Sequence, residues 1–303
     1  MSTSNPKKSV PADLQELVSR PPIYRLLGVA EKLRGKHLNH AWKGLAGVPR
    51  ADEPGIPVVV KHLPNAGQID IELACGLASQ VLNLPVPRPA LVLADLDDLP
   101  SRPVGLTTGP VLLFGSLFQA EDQFIARRAD QGGQAAEYIW DQVCQEKVGP
   151  SGSAWDELVA NPDRHVQNLL FDGTKWWLFD HNLALQPLSK LYASIDTDSQ
   201  ARAQIIEHTA KVNQLLEQVV KRRPKDHGVE QEAQRLLRHA QRLKILAIEM
   251  RKWHLAPGRI SETIEMAALI VDLIALRLEP LALHIEARLN KPNAEALWDT
   301  STN

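Results

Sequence analysis

The chain is 303 residues long, 44% apolar and 23% charged, which excludes global disorder and leaves room for one large or two modest domains around a buried core. Its formal charge of −2 hides a split: residues 1–50 carry nine Lys/Arg against three Asp/Glu, residues 51–200 nine against twenty, and residues 201–303 sixteen against thirteen. An acidic middle between basic ends points to local partners, phosphates or cations, rather than to a fold. Cys75 and Cys144 have no C-x-x-C spacing, which excludes a disulfide framework and a thiolate zinc site. The polar opening has no apolar h-region behind it, and no apolar run reaches the ~18 residues of a membrane span, so the expected location is cytoplasmic with no membrane partner.

Residues 1–20 read as a flexible or partly helical lead-in that stops at Pro21-Pro22. Short strands follow at 23–27, 38–45 and 57–62, the last built on Val58-Val59-Val60, whose β-branched side chains suit a buried pleat. Ile69, Leu73, Leu77 and Val81, with Ala74, Ala78 and Leu82 beside them, make a stripe of helical spacing over 68–83 that Pro85-Val86-Pro87 closes. Strands at 90–94 and 111–114 flank an acidic loop with Asp95, Asp97 and Asp98. From 134 the pattern turns helical: a helix over 134–147 ends at Gly149-Pro150, and Ser153-Ala-Trp-Asp156 offers a capping-box-like start to the next. Two short strands, 166–171 and 176–179, meet at Asp172-Gly173, a hairpin turn signal. Helices at 199–221, 228–254 and 259–289 complete the chain, punctuated at Pro224, Pro257-Gly258 and Pro280.

The polar residues Asp163, Arg164, His165, Asn168, Asp180 and His181 surround that hairpin. An aspartate in a loop, an asparagine five residues on, and a second aspartate at a strand end put three oxygen-bearing side chains on one rim. Such a rim suits phosphoryl transfer, in which one carboxylate orients an attacking hydroxyl while an amide and a second carboxylate hold a divalent cation on the nucleotide phosphates. Turn formation alone accounts for any two of these residues. The three together, with a strand lysine at Lys61 and a helix glutamate at Glu72 upstream, favour the chemical reading. Residues 221–252 hold ten Lys/Arg and four Asp/Glu, which reads first as a solvated helical face and second as a docking surface for RNA or an acidic partner.

The run Asn161-Pro162-Asp163-Arg164-His165-x-x-Asn168, followed by Trp177-Leu178-Phe179-Asp180-His181, resembles the catalytic and metal-binding segments of HipA-like kinases and the D-R-H-x-x-N segment of phosphoinositide lipid kinases. Val58-Val59-Val60-Lys61, the helix carrying Glu72, and Leu84-Pro85-Val86-Pro87 resemble the small lobe of the same HipA-like group. The resemblance covers residues 35–185. It implies an α+β, bilobal protein-kinase-like fold: a small strand-rich lobe with one main helix and the hinge over 21–118, and a larger helical lobe containing the catalytic hairpin over 119–303.

Residue by residue, the resemblance implies that Asp163 is the catalytic aspartate and that Asn168 and Asp180 bind Mg2+. Lys61 would contact the ATP phosphates and Glu72 would hold it by an ion pair. His165 would orient Asp163, meet a phosphate, or brace the loop. Lys36 lies in the glycine-poor segment 35–41 that takes the place of the phosphate loop, and Phe114 and Ser116 lie in the segment 112–117 that would be the hinge facing adenine. The implied activity is ATP- and Mg2+-dependent phosphorylation of a protein Ser/Thr hydroxyl, in a toxin–antitoxin or related regulatory setting with a regulatory partner protein. A lipid or small-molecule acceptor, and a kinase-shaped module that binds nucleotide or a partner without turnover, are the alternatives. Asp180-His181-Asn182 stands where protein kinases carry D-F-G, which argues against a switch that turns a phenylalanine over.

Overall fold

The computed structural model describes residues 10–33, 41–48, 54–103, 105–120, 132–195 and 197–290, together with Ile125 and Ala129. The valine-rich segment forms β4 (Ile56–Lys61), an inner strand of a sheet completed by β1 (Ile23–Leu26), β2 (Glu31–Lys32), β3 (Ala41–Gly47), β5 (Pro89–Asp95) and β6 (Pro110–Leu117). The order is β1-β5-β6-β4-β3-β2; β1 also pairs with β3, so the sheet closes on itself. Alternation along the strands divides the apolar residues between two clusters. Val58, Val60, Ala90, Val92 and Leu113 join Leu26, Trp42 and Ala46 in one, while Leu91 and Phe114 turn to the opposite face and join the helices in the other.

The apolar stripe at 68–83 is helix α2 (Ala66–Val81), whose N-cap Asn65 accepts the Gly67 N–H through Oδ1 at 2.9 Å. It is buried on nearly every side, because it lies between the sheet and two helices from the end of the chain, α8 (Ala240–Met250) and α9 (Arg259–Arg277). The lead-in is helical over α1 (Ala12–Val18); Leu14 enters the helical core, and Trp253 Nε1 donates to the Val18 carbonyl at 2.9 Å. The remaining helices are α3 (Gly133–Gln145), α4 (Val148–Leu158), α5 (Ser199–Glu207), α6 (Gln214–Arg222), α7 (Val229–Leu237) and α10 (Leu281–Leu289). Between α4 and α5 lies the hairpin of β7 (Leu169–Phe171) and β8 (Trp176–Leu178), with Gly173 in its turn at φ 92°. Among the described residues no helix is long and apolar enough to cross a membrane.

Several boundaries differ from the sequence reading. Helix α4 starts at Val148, not near Ser153, so Gly149-Pro150 opens this helix instead of closing the previous one. Pro150 occupies its first turn, where a missing N–H leaves no intrahelical bond unmade. Val166–Asn168 is a 3-10 turn, and the strand begins only at Leu169. The helix expected over 199–221 breaks before α6, where buried Asn213 caps the Leu216 N–H and donates to the Ser153 carbonyl and Glu157 Oε2, each at 3.0 Å. The helix expected over 228–254 breaks at Arg238-His239, and the one over 259–289 ends before Pro280, which cannot donate to a preceding carbonyl. Residues 38–40 of the strand expected over 38–45 lie outside the described residues.

Helix α4 approaches its neighbours closely because its residues are small. A Cβ on Gly152 would lie 2.7 Å from Leu215 Cδ2 on α6 and 3.2 Å from Leu178 Cδ1 on β8. Gly152→Val is therefore expected to destabilise by ~1–3 kcal/mol through overpacking; an unchanged urea midpoint would show that the helices can part without cost.

Candidate active site

Lys61 ends β4, and its register places it opposite Phe114 on β6, on the sheet face that α2 covers. Its Nζ lies 5.6 Å from the centre of the Phe114 ring. The ammonium bonds Glu72 Oε1 from α2 and Asp180 Oδ1, the latter at 2.8 Å, so three segments meet at one nitrogen. Burial opposes charge on Lys61, but the two carboxylates outweigh it and raise its pKa above the usual lysine value. Burial pushes Glu72 up. Burial also acts on Asp180, yet Lys61, Arg164 and His165 together hold it below the ordinary carboxylate range. The centre therefore presents an ionised Asp180 and a cationic Lys61 to the partly open side of the site, their side chains 30% and 15% exposed.

Asp180 sits in the left-handed region at φ 61°, as do Ala160 at 46° and Leu185 at 50°, the residues before Asn161 and before the 3-10 segment Gln186–Ser194. Each non-glycine residue there costs on the order of 1 kcal/mol, so the surrounding packing must impose it. Arg164 supplies much of that constraint. Buried completely, it forms a bidentate pair with Asp156 on α4, with Nε and Nη2 each 3.0 Å from a carboxylate oxygen. Its Nη1 donates to the Asn168 carbonyl at 3.0 Å and the Phe179 carbonyl at 2.5 Å, and its Nη2 lies 2.9 Å from His181 Nε2. One guanidinium thus ties the loop over 161–168 to the residues on both sides of the hairpin.

Trp155 Nε1 also donates to His181 Nε2, at 2.9 Å. Both partners of that nitrogen can only donate, so it is the acceptor and the ring proton resides on Nδ1. Burial, with Arg164 and Lys61 nearby, lowers the His181 pKa well below the usual histidine value and keeps the ring neutral. Trp155 and Asp156 were not legible as site residues from sequence. The one available signal was a tryptophan followed by two acids, Asp156 and Glu157, in a helix otherwise made of small and apolar residues.

Asn168 Nδ2 donates to the Asp163 carbonyl at 2.7 Å, which fixes the amide and turns its Oδ1 away from that carbonyl. Asn161 accepts the Asp163 N–H at 3.2 Å and donates to Asp156 Oδ1 at 3.0 Å, so the loop is pinned to α4 from two directions. The Asp163 carboxylate is half exposed, with His165 Nε2 3.8 Å from its Oδ1. Among the described residues no three His, Cys, Asp or Glu side chains form a metal-binding cluster. The Asn168 amide oxygen and the Asp180 carboxylate are hard oxygen donors, and two such ligands with substrate phosphates fit Mg2+.

Phe114 and Ser116 do not form an exposed hinge. Both lie inside β6, flanked by β4 and β5, and the backbone groups of an inner strand are taken up by its two neighbours. Lys36 and the rest of 34–40 lie outside the described residues. Much of the basic stretch at 221–252 faces acids: Arg222 pairs with Glu137 and Asp141, Arg235 with Glu232, Arg251 with Asp272 and Lys252 with Glu249.

Asp70, near the start of α2, accepts from Arg259 at 2.9 Å, yet burial raises its carboxyl from 3.8 to about 6. A folded-state value above the unfolded one means that the folded protein holds the proton more tightly, so ionised Asp70 costs stability at neutral pH and the cost fades as pH falls through this value. Between pH 7 and pH 5 this group should add roughly 1 kcal/mol to the wild type and nothing to Asp70→Asn. Urea denaturation of both proteins at the two pH values measures the difference, and equal responses would refute it.

No protein-family model matches the chain, and no curated protein matches it in sequence. Among solved structures, it is similar to the crystal structure of a Helicobacter pylori proinflammatory kinase, CtkA, with a TM-score of 0.50 and 11% identity, over 85% of this chain and 99% of that one. At that identity the likeness is one of fold: a mixed α+β chain, strand-rich in its N-terminal region and helical in its C-terminal part, is shared with a kinase.

Proposed function

We propose that the protein is an ATP- and Mg2+-dependent phosphotransferase of HipA-like type acting on a protein Ser/Thr hydroxyl, its sheet and its helical part serving as two lobes about the site. The observation that supports this best is the Lys61 ammonium bound between Glu72 and Asp180, carboxylates that lie 11 and 119 residues away along the chain. Glu72 aims the ammonium, and Lys61 in turn neutralises phosphate oxygens of the nucleotide. A divalent cation on Asn168 Oδ1 and Asp180 would supply further charge neutralisation where the transferring group gains negative charge. Asp163, half exposed and anchored through its backbone, receives the acceptor's proton: the acceptor oxygen bonds to the γ-phosphorus, the β–γ bridging bond breaks, and ADP leaves. Catalysis in this arrangement is positioning and electrostatics more than covalent assistance. Adenine would meet the chain beyond Leu117, where the backbone leaves β6.

The test is phosphosite mapping by mass spectrometry in a cell lysate incubated with ATP and either the wild type or Asp163→Asn. Sites made only by the wild type support the proposal. Stabilisation of the wild type by nucleotide and Mg2+ without transfer to protein, lipid or small molecule would overturn it in favour of a binding module.

A further inference from the structure

We propose that His181 is a positioning residue, a fixed anchor that locks Asp180 in its left-handed, Lys61-facing conformation, and that the Asp180-His181-Asn182 segment therefore does not turn over. The inference rests on the kinase reading and concerns how that site keeps its shape. Four observations carry it. The imidazole is buried, with 1% of its surface exposed. Its Nε2 receives two N–H donors from different elements, Trp155 on α4 and Arg164 in the catalytic loop, both at 2.9 Å. The Trp155 and His181 rings meet edge to face at 71°, 5.9 Å between centres. On the other side Nδ1 lies 3.9 Å from Glu72 Oε2 on α2, the carboxylate that also pairs with Lys61.

Turning the segment over would withdraw the acceptor from two buried donors at once, leaving Trp155 Nε1 without a hydrogen-bond partner among the described residues and Arg164 Nη2 with Asp156 alone. A phenylalanine in this place has no such ties, since its ring can leave one apolar pocket for another. The histidine converts a hinge into a joint held on two sides, by α4 and by the catalytic loop. Glu72 offers no compensating freedom, because α2 is enclosed by the sheet, α8 and α9, and Arg259 from α9 donates to both Asp70 and the Ala66 carbonyl.

The test is Mn2+ affinity, followed by electron paramagnetic resonance in the presence of a non-hydrolysable ATP analogue, for the wild type, His181→Gln and His181→Leu. Glutamine can place Oε1 near the position of Nε2 and keep the acceptor; leucine cannot. His181→Leu should lose on the order of 10-fold or more in Mn2+ affinity, as expected for the loss of a group that orients a ligand, while His181→Gln stays within a few-fold of the wild type. Unchanged affinity in His181→Leu, or equal losses in both variants, would overturn the anchor. If His181→Leu does not fold, Trp155→Phe, which removes one donor and keeps an aromatic ring, carries the test: a several-fold loss supports the anchor and wild-type affinity refutes it. No Mn2+-dependent nucleotide binding by the wild type would overturn the kinase reading and the anchor together, whereas binding by the wild type with no change in the variants overturns the anchor alone.

Discussion

Asp163→Asn is expected to lower phosphoryl transfer from labelled ATP by ~10²–10⁴-fold, the range for loss of a positioned general base, while leaving the fold and nucleotide binding intact. The fold should survive because the carboxylate is 45% exposed and the loop is held by Asn161 and by the Asp163 carbonyl, neither of which the substitution touches. Asp180→Asn should fail differently. Asparagine tolerates the left-handed backbone at φ 61°, so the shape persists, but the charge facing Lys61, which the proposed cation would also need, is gone. Transfer and Mg2+-dependent nucleotide binding should then fall together. A radiolabel transfer assay run beside a nucleotide-binding assay separates the two patterns; wild-type transfer by either variant would remove the corresponding assignment.

The largest expected stability effect is at Arg164. Arg164→Met leaves the Asp156 carboxylate buried with the Asn161 amide as its sole remaining side-chain donor among the described residues, and it takes the guanidinium away from the Asn168 and Phe179 carbonyls. Breaking a buried ion pair from one side costs ~3–5 kcal/mol because the remaining charge is uncompensated. Urea denaturation should report a loss of that size, and the combined Asp156→Leu, Arg164→Met protein should recover part of it, since removing both partners removes the stranded charge. Its activity should nonetheless stay low, because the tie from the loop to the Phe179 and Asn168 carbonyls is absent in both proteins. A loss below about 1 kcal/mol in the single variant would mean that water or another group satisfies Asp156.

Local pattern made several features legible. Val58-Val59-Val60 formed a strand, the stripe from Ile69 to Val81 formed a helix, and Asp172-Gly173 formed a turn, in which Asp172 accepts from Thr174, Lys175 and Trp177 and is held below the usual carboxylate range. The same pattern misled where proline and glycine were read only as punctuation. Gly149-Pro150 looked like an ending, but a proline in the first turn is also how a helix begins, and the spacing alone does not distinguish the two. That Phe114 and Ser116 lie inside the strand was not legible for a related reason: a continuous apolar run such as Val111-Leu112-Leu113-Phe114 does not say how far the strand extends before the chain leaves the sheet.

What the amino-acid order by itself determined is the content of the short stretches: which residues prefer a pleat or a helix, and the chemical kinds gathered between Asn161 and Asn182. These follow from side-chain sterics and from hydrogen bonds spanning a few residues, so they are written locally. Only the tertiary structure decided that Lys61 faces Asp180 across 119 residues, that Asn213 interrupts a helix by bonding Ser153 60 residues away, and that Arg164 closes on Asp156 instead of reaching solvent. Each of those is a buried polar group whose desolvation must be offset by a partner. That partner can be anywhere in the chain that packing brings within 3 Å or so, and no local spacing encodes it.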